Sequence, residues 1–167
     1  MLYFAYGSNM SSKRFKTRAP SAQSIAIARL SHHQLKFHKK SLVDGSAKCD
    51  AFESGVAAHF IYGVVYEIAE HEKSLLDKVE GLGKGYEIKT TYVQFGHNEL
   101  VEVFLYYATH IEANLKPFHW YREHVLQGAL EHHLPLEYIE GIKSVRVMND
   151  LNEARTKTEL QIYSCNQ

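Results

Sequence analysis

The sequence predicts an α+β fold, with strands gathered early in the chain and helices late. Three observations predict it. Up to about Tyr107, short runs rich in aromatic and β-branched residues alternate with Gly, Ser and Asn clusters, which is the pattern of strands and turns. A single helical stretch interrupts them near residue 75. After Pro117 the apolar spacing turns helical and stays so. That order favours α+β over the regular strand–helix alternation of a doubly wound sheet.

The elements follow in chain order. Residues 2–6 form a tight apolar run closed by Gly7, Ser8 and Asn9, and read as a short buried strand. Ser11 or Ser12 can cap a short basic helix carrying Lys13, Arg14 and Phe15. Residues 23–30 and 34–38 read as two more strands, the second with Leu35 and Phe37 alternating. Residues 41–56 are polar and contain glycine, and read as a loop. His59 to Ile68 has the composition of a central strand. Glu70 to Glu80 then puts Leu75, Leu76 and Val79 on one helical face, with Glu70 and Glu72 in the first turn. The glycines at 81, 83 and 85 end that helix. Residues 86–95 and 100–107 make a hairpin around Gly96-His97-Asn98. A helix over 118–132 is broken by Leu134-Pro135, and another runs to about Val145. The first 150 residues read as one domain, and 151–167 as a polar C-terminal tail with a weak apolar patch at Leu160 and Ile162.

Composition narrows the function. The 167 residues carry 19 Lys+Arg against 19 Asp+Glu, so there is no basic excess to hold a nucleic-acid backbone. Nowhere do 18 apolar residues run together, and the apolar opening lacks the basic flank of a secretory leader, so a cytoplasmic protein that does not enter membranes is expected. Cys49 and Cys165 lie far apart without metal spacing and read as reduced thiols, a long-range bridge remaining open. Two residue types stand out, His and Tyr, with 11 of each. The first suggests a metal or a pH switch, the second a pocket walled by amphipathic rings.

Most motif readings fail. His71-Glu72 has Leu75 where a helical zinc site needs its second histidine. His119 and Glu123 fit an ion pair or a solvated helix face better than a metal, and the adjacent pairs His32-His33 and His132-His133 diverge in strand or helix. Gly81, Gly83 and Gly85 follow a helix and enter a strand, the reverse of a phosphate-binding loop. Ser8 lacks the flanking pattern of a nucleophile elbow, and neither cysteine has a nucleophile signature.

Two features survive. Tyr6-Gly7-Ser8-Asn9 joins a buried strand to a helix start, where a glycine lets the chain turn sharply and present consecutive N–H groups to a carboxylate or oxyanion. Glu80 ends a helix, at the pole of the macrodipole that disfavours a carboxylate, just before a glycine-rich turn and Tyr86. A carboxylate so placed and facing a pocket suits proton exchange. Taken alone, each is better read as an ordinary feature: a strand-to-helix turn for the first and a frayed, solvated helix end for the second.

Together they carry a resemblance. Phe4-Ala5-Tyr6-Gly7-Ser8-Asn9, Leu76-Asp77-x-x-Glu80-Gly81, Tyr86, and Leu134-Pro135-Leu136-Glu137-Tyr138, in that order, resemble the γ-glutamylcyclotransferase family over roughly residues 1–150. The Asn at position 9 is closer to the γ-glutamyl dipeptide branch than to the glutathione-specific branch, which usually has Leu there. It also departs from the γ-glutamylamine branch, which usually shows Thr and Leu.

The resemblance implies a mixed, barrel-like β-sheet with flanking helices, and a cavity that holds a glutamyl group against Tyr6, Gly7, Ser8 and Asn9. Glu80 matches the family's catalytic glutamate, while Tyr86 and Tyr138 match aromatic positions at or near the cavity. The implied reaction releases 5-oxoproline from a small γ-glutamyl compound and needs no metal or organic cofactor. No nucleic-acid or membrane partner is implied, and analogy with the family allows a homodimer. Two rival readings stand beside it: a γ-glutamylamine-directed enzyme of the same fold, and a non-catalytic small-molecule binding module.

Overall fold

A computed structural model describes residues 1–96 and 99–164. Seven strands run in chain order: β1 (Leu2–Ala5), β2 (Gln23–Ser31), β3 (His33–Lys40), β4 (Ala47–Glu53), β5 (Phe60–Glu67), β6 (Tyr86–Phe95) and β7 (Glu99–Ala108). The helices are α1 (Ser12–Phe15), α2 (Lys73–Glu80), α3 (His119–Glu131), α4 (Leu136–Lys143) and α5 (Glu153–Gln161). Five strands close a barrel in the order β1–β5–β2–β6–β7. All its pairings are antiparallel except the closing one, where β1 meets β7 in parallel at Tyr3 and Phe104. The fold is therefore α+β with a mixed barrel. Its ends are short of exposed edges because closure pairs them.

The barrel owes its core to alternation. Phe4 of β1, Val64 of β5, Val93 of β6 and Leu105 of β7 are fully buried. On the flank, α3 buries Val125 and Ala129 and packs on the Ser8–Met10 turn that follows β1. Mid-helix Gly128 makes this approach feasible: a Cβ there would stand 2.5 Å from both Met10 Cβ and the Ser11 backbone nitrogen. A helical glycine is costly unless such a contact needs it.

Several elements differ from expectation. Residues 41–56 are not simply a loop, because Ala47–Glu53 form β4, paired antiparallel with β3. The strand looks polar because it buries charged residues that have partners. Asp50 accepts the Ala108 N–H at 2.7 Å and pairs with His38 at 2.8 Å, which fastens the two-stranded sheet to β7. Lys48 Nζ lies 4.7 Å from the ring centres of both Trp120 and Tyr121. The helix near residue 75 opens with a 3₁₀ turn at Glu70–Glu72, and only Leu76 of its apolar trio is buried; Leu75 and Val79 face out. Ser11 precedes α1, yet its side chain makes no capping bond. The polar segment after Asp150 carries α5, capped by Asn152 through the Arg155 N–H. The expected turn residues His97 and Asn98, and Cys165, lie outside the described residues. Among the described residues no helix is long and apolar enough to cross a membrane.

Candidate active site

The closing seam of the barrel places the site. β1 delivers Tyr3 and then, past its end, Tyr6 and the turn Gly7-Ser8-Asn9. The turn is a short 3₁₀ segment, Ser8–Met10, closed by the Met10 N–H to the Gly7 carbonyl at 3.0 Å. In such a turn the first N–H groups, of Ser8 and Asn9, have no partner within the turn. Gly7 is needed for space: a Cβ there would come within 3.0 Å of Cys49 Cβ on β4. The expected helix dipole contributes little, because α1 has four residues.

Glu80 comes from the opposite direction, as the last residue of α2, which ends at Gly81 in the left-handed conformation. Asn9 donates from Nδ2 to Glu80 Oε1 at 2.9 Å and to the Tyr3 hydroxyl at 3.0 Å. Arg18 completes the set, donating from Nη1 to Glu80 Oε1 at 2.7 Å and to Asn9 Oδ1 at 2.8 Å. The guanidinium lies against the carboxylate at the C-terminal pole of α2, where its positive charge offsets the unfavourable dipole. Both bonds to Glu80 end on Oε1, so neither engages Oε2.

Around this cluster lies a pocket of about 20 Å³, lined by Tyr3, Tyr6, Cys49, Tyr86, Tyr106 and Tyr121 together with Gly7, Ser8, Asn9 and Glu80. Its tyrosines are anchored. Tyr6 donates to the Tyr106 carbonyl and Tyr86 to the Cys49 carbonyl, each at 2.5 Å. The Cys49 N–H donates to the Tyr121 hydroxyl at 3.0 Å, and the Tyr106 hydroxyl donates to Asp77 at 2.6 Å. Burial pushes the Tyr6, Tyr86 and Tyr121 hydroxyls well above the usual phenol range, so they serve as neutral hydrogen-bonding walls. Burial likewise raises the Cys49 thiol, which keeps it protonated and poorly nucleophilic.

Residues from distant parts of the chain therefore meet here: the turn after β1, the end of α2, and walls from β4, β6, β7 and α3. Human γ-glutamylcyclotransferase is 30% identical to this chain over 151 residues, an alignment covering 86% of the chain and 78% of the human protein. The chain belongs to the γ-glutamylcyclotransferase family. The Bos taurus γ-glutamylcyclotransferase is 31% identical over 153 residues, with the same coverage. Residues 60–142 match the AIG2-like family. A solved structure described as a γ-glutamyl cyclotransferase superposes with a TM-score of 0.84 at 28% identity, covering 95% of this chain and 98% of that one.

Of the residues singled out in this cyclotransferase-family sequence, Tyr6, Gly7, Ser8, Asn9, Glu80 and Tyr86 share the pocket. Tyr138 does not. It sits on α4, 5.3 Å from the Tyr62 ring, and lines a separate groove of about 490 Å³ with Leu35, Phe37 and Ile142. Its hydroxyl donates to the Tyr62 carbonyl at 3.2 Å, a bond that holds α4 to β5. The sequence reading missed Arg18, Tyr3, Tyr106 and Tyr121. Strand alternation alone would set Tyr3 and Tyr6 on opposite faces, and they share the pocket because the chain leaves β1 after Ala5; Arg18 comes from the segment after α1, and Tyr106 and Tyr121 enter only through barrel closure and the packing of α3.

Proposed function

We propose that this protein converts γ-glutamyl compounds to 5-oxoproline and a free amino acid or amine, with Glu80 as the general base and acid. The observation that carries the reading is the Glu80–Asn9–Arg18 cluster, which sets a carboxylate against the Tyr-Gly-Ser-Asn turn inside a tyrosine-walled pocket.

The chemistry follows from the substrate. A γ-glutamyl compound carries its own nucleophile, the α-amine, which is an ammonium at neutral pH. Glu80 takes a proton from it through Oε2, while Arg18 and Asn9 hold Oε1. The freed amine attacks the γ-carbonyl carbon, the new carbon–nitrogen bond closes a five-membered ring, and the carbonyl oxygen becomes an oxyanion. The N–H groups at Ser8 and Asn9 face the substrate's anionic oxygens. Protonated Glu80 then gives its proton to the departing nitrogen as the old carbon–nitrogen bond breaks. The ring nitrogen's other surplus proton is shed as the lactam forms, so the amine leaves with both. Ring closure is intramolecular, and the protein's main task is to hold the folded conformer. The reaction fits a cytoplasmic setting and a small-molecule partner, with neither a membrane nor nucleic acid required.

Incubation with a panel of γ-glutamyl compounds, read by 5-oxoproline release, tests the function. Glu80→Gln should lower kcat by about 10²–10⁴-fold with the far-ultraviolet spectrum unchanged. Full activity in that variant would remove Glu80 from the mechanism.

A further inference from the structure

The groove of about 490 Å³ that Tyr138 lines runs between α4 and strands β3 and β5, and shares no lining residue with the Glu80 pocket. Its size is that of a small-molecule site. Its walls are largely aromatic: the Phe60 and Tyr138 rings each meet the Tyr62 ring edge-on, with centres 5.3 Å apart. The Phe60 ring already takes one cation, the Arg29 guanidinium, 5.0 Å from its centre. A glycine leaves space along the groove. Gly141 lies inside α4 and lines it, and a Cβ there would meet nothing within 4 Å. Gly128 of α3 is required by a close approach, whereas Gly141 weakens its helix with no such contact to justify it. What it leaves open is room in the groove.

The polar groups at the groove are set to accept. Ser54 Oγ donates to the His32 carbonyl at 2.9 Å, so its lone pair faces His59, which donates to it from Nδ1 at 2.9 Å. His59 Nε2 is then an acceptor and takes a hydrogen bond from Gln34 Nε2 at 3.0 Å. The chain fixes the Gln34 amide and leaves its Oε1 without a partner among the described residues. The Tyr138 hydroxyl gives its proton to the Tyr62 carbonyl at 3.2 Å and can otherwise only accept. Glu137 is exposed, with no Lys or Arg at ion-pair distance among the described residues, and no Lys or Arg lines the groove. A purely apolar molecule would strip water from these acceptors without replacing it, and an anion would be repelled. A cation with an aromatic body suits both the rings and the acceptors.

We propose that this groove is a second binding site, separate from the Glu80 pocket, for small aromatic amines in their ammonium form. The ring lies along Phe60, Tyr62 and Tyr138 in the space beside Gly141. The ammonium goes to Glu137, and Gln34 Oε1 takes a further N–H of the ligand.

The test titrates the full chain with three indoles that differ in the charge of one short side chain: tryptamine, tryptophol and indole-3-acetate. Binding is read by calorimetry. Tryptamine should saturate the protein below about 10 mM and bind about tenfold more tightly than tryptophol, with indole-3-acetate weakest. Glu137→Gln should weaken tryptamine by about threefold and leave tryptophol unchanged. Gly141→Leu fills the groove and should abolish binding of both, while the melting temperature holds or rises because a helical glycine is removed. No saturation by tryptamine, equal affinity for the cation and the neutral alcohol, or undiminished binding in Gly141→Leu would overturn the assignment. The comparison of the three indoles on the wild type decides even if a variant folds poorly. Sedimentation tests the other occupant: a dimer that Gly141→Leu splits into monomers would give the groove to a second copy of the chain and overturn the small-molecule site.

Discussion

Arg14 and Arg18 stand about one helical turn apart, and each holds a carboxylate from a remote part of the chain. Arg18 meets Glu80 at 2.7 Å with the two side chains 19% and 15% exposed; Arg14 meets Glu159 at 2.5 Å with 14% and 26%. By distance and burial the pairs are nearly twins, and their surroundings separate them. Glu80 also accepts from Asn9 and looks into a pocket walled by neutral tyrosines. Glu159 belongs to α5, a helix without a buried residue, and its other neighbour is the His124 ring at 2.9 Å. That contact, with Arg14 beside it, holds the Glu159 carboxyl down at about 2. A buried ion pair therefore marks neither catalysis nor stability by itself. Here one pair faces a cavity with an uncommitted oxygen, while the other ties the end of the chain to α1 and α3.

Exchanging the two carboxylates for amides should separate the roles most widely. Glu80→Gln should remove about 10²–10⁴-fold of the turnover at little cost in stability. Glu159→Gln should leave turnover within about tenfold while lowering stability by about 2 kcal/mol, since a charged hydrogen-bonded partner is lost. Assays of 5-oxoproline release beside thermal melts check both. A Glu159→Gln protein as inactive as Glu80→Gln would dissolve the distinction.

The arginines extend the contrast with smaller effects. Arg18→Met frees Glu80 Oε1 and Asn9 Oδ1 together, so it should lower kcat by about 10–100-fold through misplacement of the base. Arg14→Met should act mainly on the melting temperature, by roughly 4–8 °C for a loss of about 2 kcal/mol at this chain length. If Arg18→Met were fully active, Asn9 alone would suffice to position Glu80.

This comparison also shows what could be read from the chain beforehand. Glu80, the Tyr6–Asn9 turn and Tyr86 are legible because each belongs to a local run, a strand end or a helix end, and their order is distinctive. Arg18 is not, since nothing in its neighbourhood distinguishes a basic residue after a short helix from a solvated one. Tyr106 and Tyr121 become pocket walls only when β7 closes on β1 and α3 packs over β4. Tyr138 lies in a matching motif, yet α4 turns its ring to Tyr62. β4 escapes notice because Lys48 and Asp50 look like loop residues until their partners, Trp120 and the Ala108 N–H, are in place. The strands and helices whose apolar period is unbroken are the ones the sequence displays. Elements that bury charge against distant partners stay hidden.

The gentlest way to part the two pairs is pH. Burial lowers His124 from the usual histidine range to about 4, and its contact with Glu159 opposes this only in part. A group whose folded pKa is depressed binds more protons unfolded, so its contribution is complete above the unfolded value and drains away as pH falls through the folded one. For His124 that window runs from about 6.5 down to about 4, and for Glu159 from about 4.5 down to about 2. The two act in the same direction, His124 first. The melting temperature should therefore begin to fall below about pH 6.5, before the carboxylates titrate, with α5 loosening ahead of the barrel. Hydrogen exchange of α5 amides at pH 7 and pH 5 checks the order. His124→Gln should flatten the upper part of the decline and leave the lower part, where Glu159 acts, in place. Parallel curves for the variant and the wild type would show that the clamp does not titrate in this range.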